Sequence, residues 1–182
     1  GLPARGKSTL CHRMEHFFAW RGYVTKSFRV GARRRQASEN GAALAEQGQG
    51  QYSSASFFDS SKAFATATRE AVTQEAFDDL IDWLKGDEAQ IAIFDASNVT
   101  IERRAKLQEK ATKAKMGVVF IESICTDQEV IHRESLWKVR NSADFVHMDE
   151  ADALRDLQER ILHYEKVYKT VREEEGAYIK IY

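Results

Sequence analysis

Two glycines five positions apart, Gly1 and Gly6, stand directly ahead of Lys7 and Ser8, and few patterns restrict a chain more. In the octet Gly-Leu-Pro-Ala-Arg-Gly-Lys-Ser the glycines permit a turn tight enough for successive N–H groups to face one anion. The lysine adds a charge that reaches phosphate oxygens, and the serine hydroxyl can sit on Mg²⁺. The next residues, Ser8 to Trp20, carry Leu10, Met14, Phe17 and Phe18 on one stripe, which predicts a helix. The positive end of its dipole favours phosphate at the loop. A loop of this kind links a strand to a helix. The pattern therefore predicts a central strand leading into Gly1, a strand this sequence lacks at its start.

The charge balance narrows the partners. In 182 residues, enough for one domain, 27 basic side chains meet 28 acidic ones for a formal net charge of −1. No overall field draws the molecule to nucleic acid or to an anionic membrane, so any anion must be met by local arginines. Cys11 and Cys125 are too few for a disulfide framework. With no signal segment and no apolar run of membrane length, the expected compartment is the cytoplasm.

Short apolar runs alternate with helical stretches. Residues 23–30, 90–94 (ending on Asp95), 117–122 and 177–182 read as strands. Residues 65–84, with Phe77, Leu80, Ile81 and Leu84 on one face, read as a helix. So do residues 151–174, with Leu154, Leu157, Ile161, Leu162, Tyr164 and Tyr168. Continuous apolar strands between amphipathic helices predict an α/β, three-layer domain of the P-loop NTPase type, with a mainly parallel sheet and helices on both faces. The segment from Ser38 to Ser56, rich in Gly, Gln, Ser and Ala, is expected to be a flexible insertion without chemistry of its own.

An acid at the carboxyl end of a parallel strand points to where ligands of such sheets bind, and Asp95 holds that place. By itself such an aspartate is more often a cap or turn former; behind a phosphate loop it becomes a partner for Mg²⁺. Arginines supply a further signal, because a bidentate guanidinium suits a phosphate ester. Arg34, Arg69, Arg103 and Arg160 form a candidate set if the fold brings them together, whereas Arg104, Arg133 and Arg155 read as solvated surface.

Together the blocks GLPARGKS (1–8), KSFRVGARRR (26–35), FFD (57–59), FDASNVTIERR (94–104), FIESIC (120–125), RILHY (160–164) and YIKI (178–181) resemble the kinase domain of the 6-phosphofructo-2-kinase/fructose-2,6-bisphosphatase family, in order and over essentially the whole chain. The resemblance implies transfer of the ATP γ-phosphoryl group to the 2-hydroxyl of fructose 6-phosphate, with Mg²⁺. It places nucleotide contacts on Gly1, Leu2, Pro3, Ala4, Arg5, Gly6, Lys7, Ser8 and Thr9, and the metal on Ser8 and Asp95. Lys7 and Asp95 are then catalytic; whether Asp95 orients the metal's water shell or accepts the hydroxyl proton stays open. Sugar-phosphate contacts fall on Arg34, Arg69, Ser97, Arg103, Arg160 and Tyr164, with Cys125 near the site. In the family a bisphosphatase domain with an Arg-His-Gly motif follows the kinase, and a homodimer is the associated assembly.

The chain departs from that pattern in places. Ser97 stands for a threonine, Arg29 for an asparagine, Arg33 for an aromatic, Glu134 for the nucleotide-side asparagine and Ser60 for a proline. Lys138, the candidate for the remaining catalytic lysine, precedes Ser142-Ala143-Asp144-Phe145 with one residue more than the family spacing. Two other readings stand beside the family one: a P-loop kinase for another sugar or polyol phosphate, and a non-catalytic ATP-sensing domain.

Overall fold

A computed structural model describes residues 1–42 and 54–182 of the protein. The helices are α1 (Lys7–Trp20), α2 (Val30–Ala42), α3 (Ala63–Leu84), α4 (Ile101–Lys113), α5 (Gln128–Asn141) and α6 (Glu150–Glu165). The strands are β1 (Thr25–Arg29), β2 (Ile91–Asp95), β3 (Phe120–Ser123) and β4 (Tyr178–Ile181). Both pairings among the described residues are parallel: β1 lies beside β2 with Arg29 opposite Asp95, and β3 beside β4 with Ser123 opposite Ile181. Two compact units result. One holds Gly1–Gly6, the described part of Ser53–Thr66, and Ser97–Tyr182; the other runs from Lys7 through α2 and resumes at Ala67–Ala96.

The unit around β1 and β2 is built by α1 and α2. Successive half-buried positions on α1 are Lys7, Leu10, Cys11, Met14, Glu15 and Phe18, a 3-4 spacing that gives one continuous face. That face packs on β1 and β2. Glu15 locks it in place: its carboxylate accepts the Ser27 N–H at 3.1 Å and the Ser27 hydroxyl at 2.6 Å. Phe17, expected on the apolar stripe, is instead 53% exposed, because the stripe rotates to accommodate Lys7 and Glu15. Phe77 on α3 meets Phe94 on β2 edge to face, ring centroids 5.1 Å apart.

In the unit around β3 and β4, α5 and α6 enclose a core of Val139, Phe145, Ala153, Leu157 and Ile161. Their starts are set by aspartate caps. Asp127 accepts the N–H groups of Glu129 and Val130, and Asp149 those of Ala151 and Asp152.

Several expected boundaries shift. The strand predicted over 23–30 is shorter, and Val30 already opens α2, so Arg33, Arg34 and Arg35 sit on a helix rather than beyond a strand. The run predicted from Gly117 begins pairing only at Phe120. Of the expected insertion, 38–42 continues α2 and 43–53 lies outside the described residues. The helix predicted to reach Glu174 stops at Glu165. Tyr168, Thr170 and Val171 all turn their donors to the Glu122 carboxylate, and those tertiary bonds win over helical continuation. Leu162, counted on the apolar face of α6, is 56% exposed.

Leu157→Ala is expected to lower unfolding free energy by about 3 kcal/mol, the usual cost of truncating a fully buried leucine. Leu162→Ala should cost under about 0.5 kcal/mol, as at other exposed positions. Urea denaturation of the two variants checks both values.

Candidate functional site

The opening loop takes its shape from two left-handed residues, Ala4 at φ 53° and Gly6 at φ 72°. A backbone that alternates hand in this way forms concave N–H nests for anions. Gly6 meets the expectation of a glycine at a turn; a side chain there would have open space but a strained φ. Gly1 is required for a different reason. A Cβ on it would overlap the Ser123 carbonyl oxygen at the end of β3. The same serine's hydroxyl donates to the Arg5 carbonyl, so the loop is tied to β3 twice over. Leu2 is half-buried and Pro3 buried, and the Arg5 guanidinium folds back to donate to the Pro3 carbonyl at 3.2 Å. Burial draws the Arg5 pKa below its ordinary value, while Cys125 and Glu165 pull it back up, which places the expected near-site Cys125 beside the loop.

Lys7, Ser8 and Thr9 form the first turn of α1, with Ser8 and Thr9 exposed. Lys7 and Cys11 share a face by their i,i+4 spacing. The Cys11 thiol is pushed up to about 12, first by burial and then by the Asp95 carboxylate, with Lys7 and Arg29 pulling the other way. Lys7 and Asp95 thus both influence the thiol of Cys11, a residue absent from the sequence-based set. Of the expected arginines, Arg34 on α2 is buried and Arg69 on α3 is half-buried, both in this unit. Arg33 beside Arg34 is engaged by Glu75 at 3.5 Å and by Asp79.

The remaining candidates belong to the other unit. Ser97 is half-buried in the loop after β2. Arg103 lies in the first turn of α4, where its N–H donates to the Thr100 hydroxyl cap at 3.2 Å. On α6, Arg160 is 4% exposed. Its guanidinium donates to Asp144 at 2.8 Å and Asp156 at 2.5 Å, and its Cζ lies 4.8 Å from the Phe58 ring centre and 4.6 Å from that of Phe145. Tyr164, one turn on, meets the same Phe58 with ring centroids 5.8 Å apart. Arg160 and Tyr164 are thus brought together around one phenylalanine. The i,i+4 pairing of Asp156 with Arg160 was visible in the sequence; the pairing with Asp144 was not. Lys138 is half-buried on α5, and its carbonyl accepts the Ser142 N–H at 3.0 Å, so the extra residue before Ser142 completes a last helical turn.

Arg104 corrects the sequence reading outright. Expected at the surface, it is 2% exposed, with Glu175 gripping its guanidinium at 2.5 and 2.8 Å. With no acid three or four positions away on its own helix, Arg104 gave no sign of a carboxylate 71 positions away. Arg155, by contrast, is exposed as expected, and so is Arg133.

A glycine-framed loop that opens a helix, a lysine at the helix start, and an acid at the end of a parallel strand define a P-loop kinase. The family model for 6-phosphofructo-2-kinase matches residues 1–182, and the chain belongs to that family. It is 36% identical over 182 residues to a 6-phosphofructo-2-kinase/fructose-2,6-bisphosphatase of Arabidopsis thaliana, covering all of this chain and 22% of that protein. A Caenorhabditis elegans protein of the same description is 35% identical over 185 residues, with 39% of its length covered. For 6-phosphofructo-2-kinase/fructose-2,6-bisphosphatase 1 of Rattus norvegicus the figures are 34%, 186 residues and 37%. The chain thus spans between about a fifth and two fifths of the length of these relatives. Among the described residues no helix is long and apolar enough to cross a membrane.

Because its thiol titrates near 12, Cys11 should resist iodoacetamide at pH 8 in the native protein and react once urea unfolds it; peptide mass mapping reads the difference. Arg160→Ala removes the buried guanidinium that pairs with Asp144, whose side chain is 6% exposed, and should cost about 3–5 kcal/mol in the same urea assay.

Proposed function

We propose that this chain transfers the γ-phosphoryl group of ATP to the 2-hydroxyl of fructose 6-phosphate, yielding fructose 2,6-bisphosphate. The observation that carries the reading is that Lys7 opens α1, the helix after the phosphate loop, and that α1 packs on β2, the strand that ends at Asp95.

Phosphoryl transfer through a loose transition state leaves little covalent work to the protein, so positioning and electrostatics dominate. The Ala4–Gly6 turn offers backbone N–H groups to the phosphate chain, and Lys7 compensates the charge that grows on the leaving β-phosphate as the bond from the γ-phosphorus to the bridging oxygen breaks. Ser8 and Asp95 fit Mg²⁺ as hard oxygen donors of the number such an ion takes from protein when phosphates complete its shell. When bound, that ion neutralises charge on the phosphate oxygens. The Asp95 carboxylate also offers a site for the proton released from the attacking hydroxyl. Following the family resemblance, Arg34, Arg69, Ser97, Arg103 and Tyr164 are proposed as sugar-phosphate contacts. Arg160, already spanned by two carboxylates, is proposed to act there through the order it imposes around Phe58 and Tyr164. Lys138 is proposed as the additional catalytic lysine.

In this reading the enzyme works in the cytoplasm, where its unbridged thiols Cys11 and Cys125 remain reduced. The parent protein carries a following bisphosphatase domain and forms a homodimer.

The test is an ATP/Mg²⁺ assay with fructose 6-phosphate on the full-length protein, read as acid-labile fructose 2,6-bisphosphate. Lys7→Ala and Asp95→Asn should each reduce kcat by at least about a hundredfold, the range seen when a transition-state charge partner is removed. Full activity in the Lys7 variant defeats the assignment. Product from another sugar phosphate alone points to a different acceptor, and tight ATP binding without turnover to a sensing domain.

A further inference from the structure

We propose that Arg104 and Glu175 form a positioning clamp for the sugar-phosphate contacts, an inference that rests on the function proposed above. The loop from Ser97 to Thr100 carries Ser97 and caps the helix that carries Arg103, yet it contains no regular structure of its own. Something else must fix it, and the bonds made by Arg104 show what does. Its Nη1 donates to the Asn98 carbonyl at 3.0 Å and to the Lys169 carbonyl at 2.9 Å. Nη2 reaches the Thr170 carbonyl at 3.4 Å, and Nε and Nη2 meet both Glu175 carboxylate oxygens. One guanidinium thus joins the Ser97–Thr100 loop to the strand-like passage that follows α6. The Lys169 N–H returns a direct bond to the Val99 carbonyl at 2.8 Å, closing the junction.

Both ends of that passage are pinned. Upstream, Glu122 on β3, 2% exposed, accepts from the Tyr168 hydroxyl, the Thr170 hydroxyl at 2.8 Å and the Val171 N–H at 3.2 Å. Downstream, Glu175 also accepts the Arg172 N–H at 2.9 Å, which closes a short turn before β4. The passage is therefore a rigid rail, and Arg104 is the group that references the loop to it. The fork geometry matters: lysine has a single ammonium centre and cannot serve two main-chain carbonyls and a bidentate carboxylate at once. Since the loop holds Ser97 and starts the helix of Arg103, slackening the clamp should disturb acceptor binding and leave the nucleotide loop, which it does not touch, unaffected.

Glu175→Gln, Arg104→Lys and the control Leu80→Ala, made in the full-length protein, separate positioning from general stability. Leu80 is buried on α3 and has no part in the clamp. Wild-type turnover of fructose 6-phosphate is measured first; its absence removes the underlying function and this role with it. With turnover present, Glu175→Gln should raise the KM for fructose 6-phosphate about fivefold to tenfold and Arg104→Lys more, each with the KM for ATP within about twofold of wild type. Leu80→Ala should lower the melting temperature without moving either KM. The proposal is overturned if both clamp variants retain the wild-type KM for fructose 6-phosphate, or if they raise the KM for fructose 6-phosphate and the KM for ATP together.

Discussion

A guanidinium taken out of water needs carboxylates and carbonyls to replace its hydration, and in the unit around β3 and β4 that requirement organises nearly everything else. Arg160 answers it with Asp144 and Asp156 and is faced by Phe58 and Phe145, which fixes the turn after α5 and the 3-10 segment Ala55–Phe58 against α6. Arg104 answers it with Glu175 and three main-chain carbonyls, which fixes the loop after β2 against the chain that leads to β4. Neither residue could be exchanged for an apolar one of similar size without also replacing the carboxylates that face it. The core of Val139, Phe145, Ala153, Leu157 and Ile161 supplies the apolar burial, while these two arginines decide which segments lie where.

Electrostatics in the other unit follows a different pattern. Glu15 is tied to Ser27 and lies 3.9 Å from Arg29, so the outer part of α1 is balanced locally. Toward its start the helix carries Lys7 and Cys11, and the strand-end Asp95 helps to raise the Cys11 thiol. A thiol in that place, held protonated by burial and by the acid, adds polarizable bulk without adding charge. In the function proposed above, the chemistry falls to the Lys7 ammonium and the Asp95 carboxylate.

What the sequence revealed, and what it hid, divides along the range of the interactions involved. The opening loop, α1, the helix over α3 and the strand ending at Asp95 were legible because each is written in neighbouring residues: glycine spacing, apolar periodicity, an acid after an apolar run. Parallel pairing was expected from apolar runs such as residues 91–94, although β1 itself reads Thr-Lys-Ser-Phe-Arg. The end of α6 was not legible, since Tyr168 and Val171 continue a helical pattern and leave it only because Glu122 lies 46 and 49 positions earlier in the chain. Arg104 was hidden for the same reason, its partner being 71 positions distant. The resemblance to a family supplied candidate site residues by their order along the chain; it could not say that Arg160 is surrounded by carboxylates while Arg103 sits at a helix start.

The attachment of the opening loop to β3 has a bearing on how the protein is made. Ser123 holds Arg5 across 118 positions, and β4 reaches β3 only from residue 178 onward. The unit that contains both therefore draws on the earliest and the latest parts of the chain, whereas the other has all of its described residues by Ala96. As the polypeptide leaves the ribosome, the portion with α1 and β2 has all of its described residues once Ala96 has emerged. The phosphate loop waits for its anchor until β3 appears about 24–27 residues later, and the strand that braces β3 follows only at residue 178.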